Sequence, residues 1–237
     1  MVFGDSVVNG GSQTDHEQVS TRLMEVRLQQ QLQREVIVGN ISAGSWGPGN
    51  WLAYLRRYGT FDADAVVLIV NSGDYADNPT FEPLNPLAHP TAKPVLALQE
   101  GIIRYLPRYL PRQWWAPPAA PPLPPNDSGV AKGLADLREF LALAAATGAK
   151  VLVLHHPDVA ELASGLYQAG HDRMRELCVQ LNIPFVQLGA AYGPAGGRTL
   201  YRDGVHPNAQ GQAVVATEML RAIGELKLRS ADQLQPR

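Results

Sequence analysis

Two short segments at opposite ends of the 237-residue chain hold residue types that can do chemistry: Gly4-Asp5-Ser6 and Asp203-Gly204-Val205-His206-Pro207. A serine hydroxyl is a weak nucleophile at its own pKa and needs an adjacent base, which in turn needs an orienting group. Asp203 and His206 can supply that pair from one loop, because a three-residue separation lets the carboxylate reach the imidazole. In such an arrangement His206 takes the proton of Ser6 while Asp203 fixes the tautomer and stabilises the imidazolium. Taken singly, Gly-Asp-Ser and Asp-Gly are ordinary turn sequences. Their place at the two ends of an alternating strand and helix pattern is what points to acyl-transfer chemistry.

That pattern must position the three side chains. Residues 16–34 space Val19, Leu23, Val26 and Leu32 among Gln, Glu and Arg, as an amphipathic helix does. Residues 35–39 read as a short buried strand, and 50–58 as a short helix after the Gly47-Pro48-Gly49 break. Ala65–Val70 is an unbroken apolar run of the parallel-sheet type. The spacing then predicts a helix over 128–147 with Gly148 as its stop, and strands over 150–154 and 184–188. Further helices are expected over 170–181 and 208–226. Strands separated by helices imply right-handed crossovers and a parallel sheet covered on both faces. Ligands in such sheets sit beyond the carboxyl ends of the strands. Ser6, the loop 40–49, Asn71 and His155 all follow strands, so all belong on that rim.

Composition narrows the classes. A chain of this length fits one α/β domain with a sizeable core. The net charge of −2 gives no footprint for nucleic acid. The lone Cys178 excludes an internal disulfide and a cysteine-based zinc site. No run approaches the roughly 20 apolar residues that span a bilayer. Only three residues precede Gly4, whereas a strand usually needs about five. A few residues are therefore expected to be missing upstream, which would place the protein outside the cytoplasm if they held a signal or anchor, and in the cytoplasm otherwise. Residues 77–127 form a Pro-rich insertion, read either as a surface insertion packed by Trp114 and Trp115 or as a lid over the cleft.

These residues together resemble the SGNH (GDSL-type) hydrolase family across nearly the whole chain. The resemblance rests on Gly4-Asp5-Ser6, on Asn40-Ile41-Ser42-Ala43-Gly44-Ser45-Trp46-Gly47, and on Asp203-x-x-His206-Pro-Asn. It implies a three-layer α/β/α sandwich around a five-stranded parallel sheet, flavodoxin-like in type. It also implies an oxyanion hole built from the amide of Ser6, a main-chain amide of Gly44 or Ser45, and an asparagine side chain after the third strand. Two departures stand out. Ser45 occupies the usual glycine slot, with Gly44 one residue early. The third segment reads Val70-Asn71-Ser72-Gly73-Asp74, so Gly73 holds the expected asparagine position and Asn71, two residues earlier, becomes the candidate donor.

The expected activity is a serine esterase acting on small acyl esters, acetylated carbohydrate among them, without metal or organic cofactor. A polysaccharide O-acyltransferase using the same residues is one alternative. A non-catalytic binding module on the same scaffold is the other. His155 and His156 end a strand on the rim, where a histidine satisfied by backbone groups is the simpler reading than one lining the cleft. His16, His89 and His171 have no metal-ligand spacing. Asp5 is expected to hold the serine turn through a side-chain-to-amide bond. Trp46 and Trp51 flank the second segment, either stacking on a sugar ring or packing under the loop. Nothing in the sequence specifies an oligomeric state.

Overall fold

The computed structural model describes residues 1–11, 14–79, 92–111 and 127–225. The chain divides into two compact units, Met1–Pro79 with Asn126–Arg237, and Thr80–Pro125. In the larger unit five parallel strands run β1 (Val2–Gly4), β2 (Asn40–Ser42), β3 (Ala65–Val70), β4 (Lys150–His155) and β5 (Phe185–Gln187). Their spatial order is β2-β1-β3-β4-β5. The register sets Gly4 beside Ser42 and Val70 beside His155, so the carboxyl ends share one rim.

The helices are α1 (Ser6–Asn9), α2 (Ser20–Leu32), α3 (Pro48–Tyr58), α5 (Asp127–Ala146), α6 (Val159–Ser164), α7 (Ala169–Gln180), α8 (Gly189–Ala195) and α9 (Ala209–Glu225). In the smaller unit α4 (Ala97–Glu100) leads into a π turn at Gly101–Tyr105 and a 3-10 turn at Leu106–Tyr109. The Pro-rich run 116–125, Trp114, Trp115, His89 and the lid reading attached to that segment lie outside the described residues.

Period-two alternation in the central strands builds the three layers. Val67, Ile69, Leu152 and Leu154 enter one core with Met24 of α2 and Val215 and Met219 of α9. Val66, Leu68, Val70, Val151 and Val153 enter the other with Trp51 and Leu55 of α3, Phe140 of α5 and Met174 of α7. A strand buried on both faces needs apolar residues at every position, which is why β3 and β4 read as continuous runs. The result is a three-layer α/β sandwich.

Two expectations shift. The strand expected over 35–39 lies at Asn40–Ser42 instead. Of the apolar residues of 35–39, Val38 packs against the first core while Ile37 is 79% exposed. β2 is an edge strand that pairs only with the three residues of β1, so its polar Asn40 and Ser42 suffice. The short helices α1, α6 and α8 were not expected, because four to seven residues are too few to display a 3.6-residue period.

The chain order matters for function. From β1 it passes to β2 on one side, then returns to β3 on the other. That reversal opens a crevice at the carboxyl ends of β1 and β3. Ser6 follows the first of these strands and Asn71 the second.

Candidate active site

Ser6 is the first residue of α1, directly after its cap. The Asp5 carboxylate accepts the Val7 N–H at 2.8 Å, the turn-holding bond expected of it. Gly4 makes the strand-to-helix turn tight: a Cβ there would lie 2.3 Å from Val8 Cγ2 and 3.2 Å from the Ile69 carbonyl oxygen. From the opposite face Trp51 Nε1 donates to the Gly4 carbonyl at 3.0 Å. The serine is thus delivered by a strand end gripped on both sides.

The loop between Tyr201 and Pro207, closed by an antiparallel bridge between those residues, returns over the rim. His206 Nε2 lies 2.8 Å from Ser6 Oγ. Its Nδ1 lies 2.8 Å from Oδ2 and 3.0 Å from Oδ1 of Asp203. A carboxylate only accepts, so Nδ1 holds the hydrogen and Nε2 is left to accept from the serine hydroxyl. Burial alone would raise the Asp203 carboxyl. The His206 and Val205 amides and the imidazole outweigh it and hold the group well below the usual carboxylate range.

Ser45 has φ +57°, a left-handed conformation that a glycine adopts without strain. The slot therefore has glycine geometry although it holds serine. Among the described residues no acceptor is bonded to the N–H of Ser6, Gly44 or Ser45.

Asn71 is placed differently from the expected free donor. Its Nδ2 donates to Asp74 Oδ1 at 2.8 Å and to Asp5 Oδ2 at 3.2 Å. Its Oδ1 accepts the Gly73 N–H at 2.8 Å, and its own N–H donates to Asp74 Oδ2 at 2.8 Å. Both amide hydrogens are directed at carboxylates, so donation to an oxyanion requires giving one of them up. Burial, then the negative charge of Asp5, pushes the Asp74 carboxyl well above its ordinary value. Burial also raises Asp5. This pairing had no sequence signal beyond the residue types, because it depends on the register of β1 against β3.

Both rim histidines are fully buried. His155 Nε2 meets the Ser72 hydroxyl at 2.8 Å, a side chain rather than the backbone partner expected. His156 bonds the Val205 carbonyl and the Tyr192 hydroxyl. His171 is buried between Gln187 and Asp172. Trp51 is fully buried, which removes it as a sugar platform; half-buried Trp46 packs against Tyr54 with ring centroids 6.4 Å apart. Burial pushes the Cys178 thiol up to about 12, far from a thiolate nucleophile. Among the described residues no group of three His, Cys, Asp or Glu could hold a metal ion.

With this geometry in place, comparison with known families is decisive: the model of the GDSL-like lipase/acylhydrolase family matches residues 2–214. The chain belongs to the GDSL-like lipase/acylhydrolase family. This is a family of ester-hydrolysing enzymes.

Solved structures with the GDSL-type fold align over nearly all of the chain. A two-domain esterase active on acetylated mannans, co-crystallised with mannopentaose, superposes with TM-score 0.60 at 13% identity, covering 99% of this chain and 52% of its own. The present chain thus spans about half the length of that esterase. An acetyl xylan esterase, AlAXEase, gives TM-score 0.54 at 17% identity, covering 94% and 98%. The lipase/acylhydrolase from Enterococcus faecalis gives 0.56 at 16%, covering 97% and 98%. No curated protein matches the chain.

Proposed function

We propose that this GDSL-type chain is a serine esterase that removes small acyl groups, acetyl above all, from carbohydrate. The observation that supports it most is the hydrogen-bonded series Ser6 Oγ, His206, Asp203, each link 2.8 Å long. Ser6 Oγ attacks the ester carbonyl carbon as its proton passes to His206 Nε2. The carbonyl oxygen becomes an oxyanion facing the N–H groups of Ser6 and of Ser45 or Gly44. Collapse breaks the bond to the alcohol oxygen, which takes the proton back from His206. Water then repeats the sequence on the acyl-serine and releases the acid. Asn71, expected as a third donor, would have to give up its bond to Asp5 or to Asp74 to join them.

An apolar cavity of about 370 Å³ lies at the amino ends of the strands, lined by Met1, Met24, Leu28, Ile37 and Phe61, and contains no triad residue. A second cavity of about 390 Å³, beside α1 and lined by Asn9, His16, Val19, Arg22, Glu25 and Asn40, likewise contains no triad residue. What supports a small acyl group on a sugar alcohol is the likeness to an esterase active on acetylated mannans and to an acetyl xylan esterase.

Acetate release from acetylated mannan and xylan, compared with release of longer acids from aryl esters, tests the reading. Fast acetate release that disappears in Ser6→Ala is expected. Preference for long acyl chains would overturn the substrate assignment. Acetyl transfer to added sugar exceeding hydrolysis would make the protein a transferase.

A further inference from the structure

β4 ends at His155, and of the two adjacent histidines only His156, the first residue after the strand, reaches the loop that holds the base. Its ring is fully buried. Nε2 lies 2.7 Å from the Val205 carbonyl oxygen and Nδ1 2.7 Å from the Tyr192 hydroxyl. A carbonyl only accepts, so Nε2 holds the hydrogen and Nδ1 accepts from Tyr192. Both ring nitrogens are satisfied, and the two partners select one tautomer. Burial pushes the ring down to about 4, so it stays neutral at neutral pH.

The acceptor is a particular peptide. The carbonyl of Val205 and the N–H of His206 belong to one planar unit. His156 holds its carbonyl end, and Asp203 Oδ1 accepts its N–H at 2.8 Å. The same segment grips the loop on either side: Val159 N–H donates to the Gly204 carbonyl at 2.9 Å, and Tyr201 Oη donates to the Pro157 carbonyl at 2.6 Å. A leucine could fill the volume of the ring, but it would leave the Val205 carbonyl without its donor.

We propose that His156 is a positioning residue for the base: it fixes the plane of the Val205–His206 peptide and, through it, the approach of His206 Nε2 to Ser6 Oγ. The proposal rests on the reading of Ser6, His206 and Asp203 as a triad. His156 touches neither substrate nor reacting atoms; its effect passes through the peptide.

The test compares His156→Leu with His156→Gln, whose amide can donate to the same carbonyl. Misplacement of a reacting group by about 1 Å can cost about 10²-fold in rate. In His156→Leu, kcat on an aryl acetate should fall by about that factor with KM unchanged, and His156→Gln should recover most of it. Equal losses in the two variants, or wild-type kcat in the leucine variant, overturn the proposal. Where the leucine variant fails to fold, nitrogen NMR of the wild-type ring decides: an Nε2–H tautomer at neutral pH is expected, and an Nδ1–H tautomer overturns it. Ser6→Ala with wild-type kcat would bring down triad and proposal together, whereas equal losses at position 156 bring down the proposal alone.

Discussion

His206 Nε2 stands 2.8 Å from Ser6 Oγ although 200 positions separate the residues in the chain. Two independent constraints produce that approach. β1 is gripped between β2 and β3, which sets the serine at the strand end. The loop before α9 is bonded to the segment after β4, which sets the histidine. Neither group is long enough to search for the other, so the sheet does the placing.

Asp203→Asn tests the orienting carboxylate. The variant should fold, since the side chain is half exposed and an amide oxygen can still accept the Val205 and His206 amides. The amide no longer selects the Nδ1–H tautomer, and kcat should fall by about 10⁴ as in other triads. Steady-state hydrolysis of an aryl acetate measures it. A rate close to wild type would remove Asp203 from the mechanism.

Asn71→Ala separates two roles for one side chain. As the bridge between Asp5 and Asp74, its loss strips a donor from each of two buried carboxylates and should lower unfolding stability by about 1.5–3 kcal/mol. Urea denaturation reads this. If stability holds while kcat drops by about 10²–10³ at constant KM, the amide is an oxyanion donor after all.

Asp74 also makes a pH prediction. Burial raises its carboxyl, so in the folded protein it keeps a proton at pH values where the unfolded chain has released one. The native state then binds more protons than the unfolded state, and this contribution to stability falls as pH rises above the ordinary carboxylate range. Asp74→Asn lacks the group. Raising pH from 4 to 7 should therefore cost wild type more stability than it costs the variant. Parallel urea midpoints across that range would contradict the assignment.

Ser45→Gly tests whether the donor in the second loop is main chain. A left-handed residue other than glycine is strained by roughly 1–2 kcal/mol, partly offset by the extra freedom of unfolded glycine. The variant should be as stable as wild type or more so, with kcat unchanged. Loss of activity would mean that the serine hydroxyl itself takes part.

How much of this was legible in the sequence follows from which interactions are local. β3 and β4 could be read directly, because burial on both faces forces an apolar residue at every position. β2 could not: its pairing depends on three residues of β1, and the hydrophobic run just before it, though Val38 reaches the core, forms no strand. Ser6, Asp203 and His206 stood out by residue type and by their place at the two ends of the pattern. The engagement of Asn71 did not, since Asp5 and Asp74 reach it only through the register of adjacent strands. His156 was legible as a buried histidine but not as a positioning residue, because its partner is a main-chain carbonyl far along the chain.

The central claim is that the Ser6 hydroxyl, relieved of its proton by His206, attacks acyl carbonyls. Mass spectrometry after treatment with a fluorophosphonate tests it most directly. The expected result is one covalent adduct on Ser6 in the wild type, none in Ser6→Ala, and slowed formation in His206→Ala. A folded wild type that stays unlabelled, or an adduct that persists at another residue in Ser6→Ala, would contradict it.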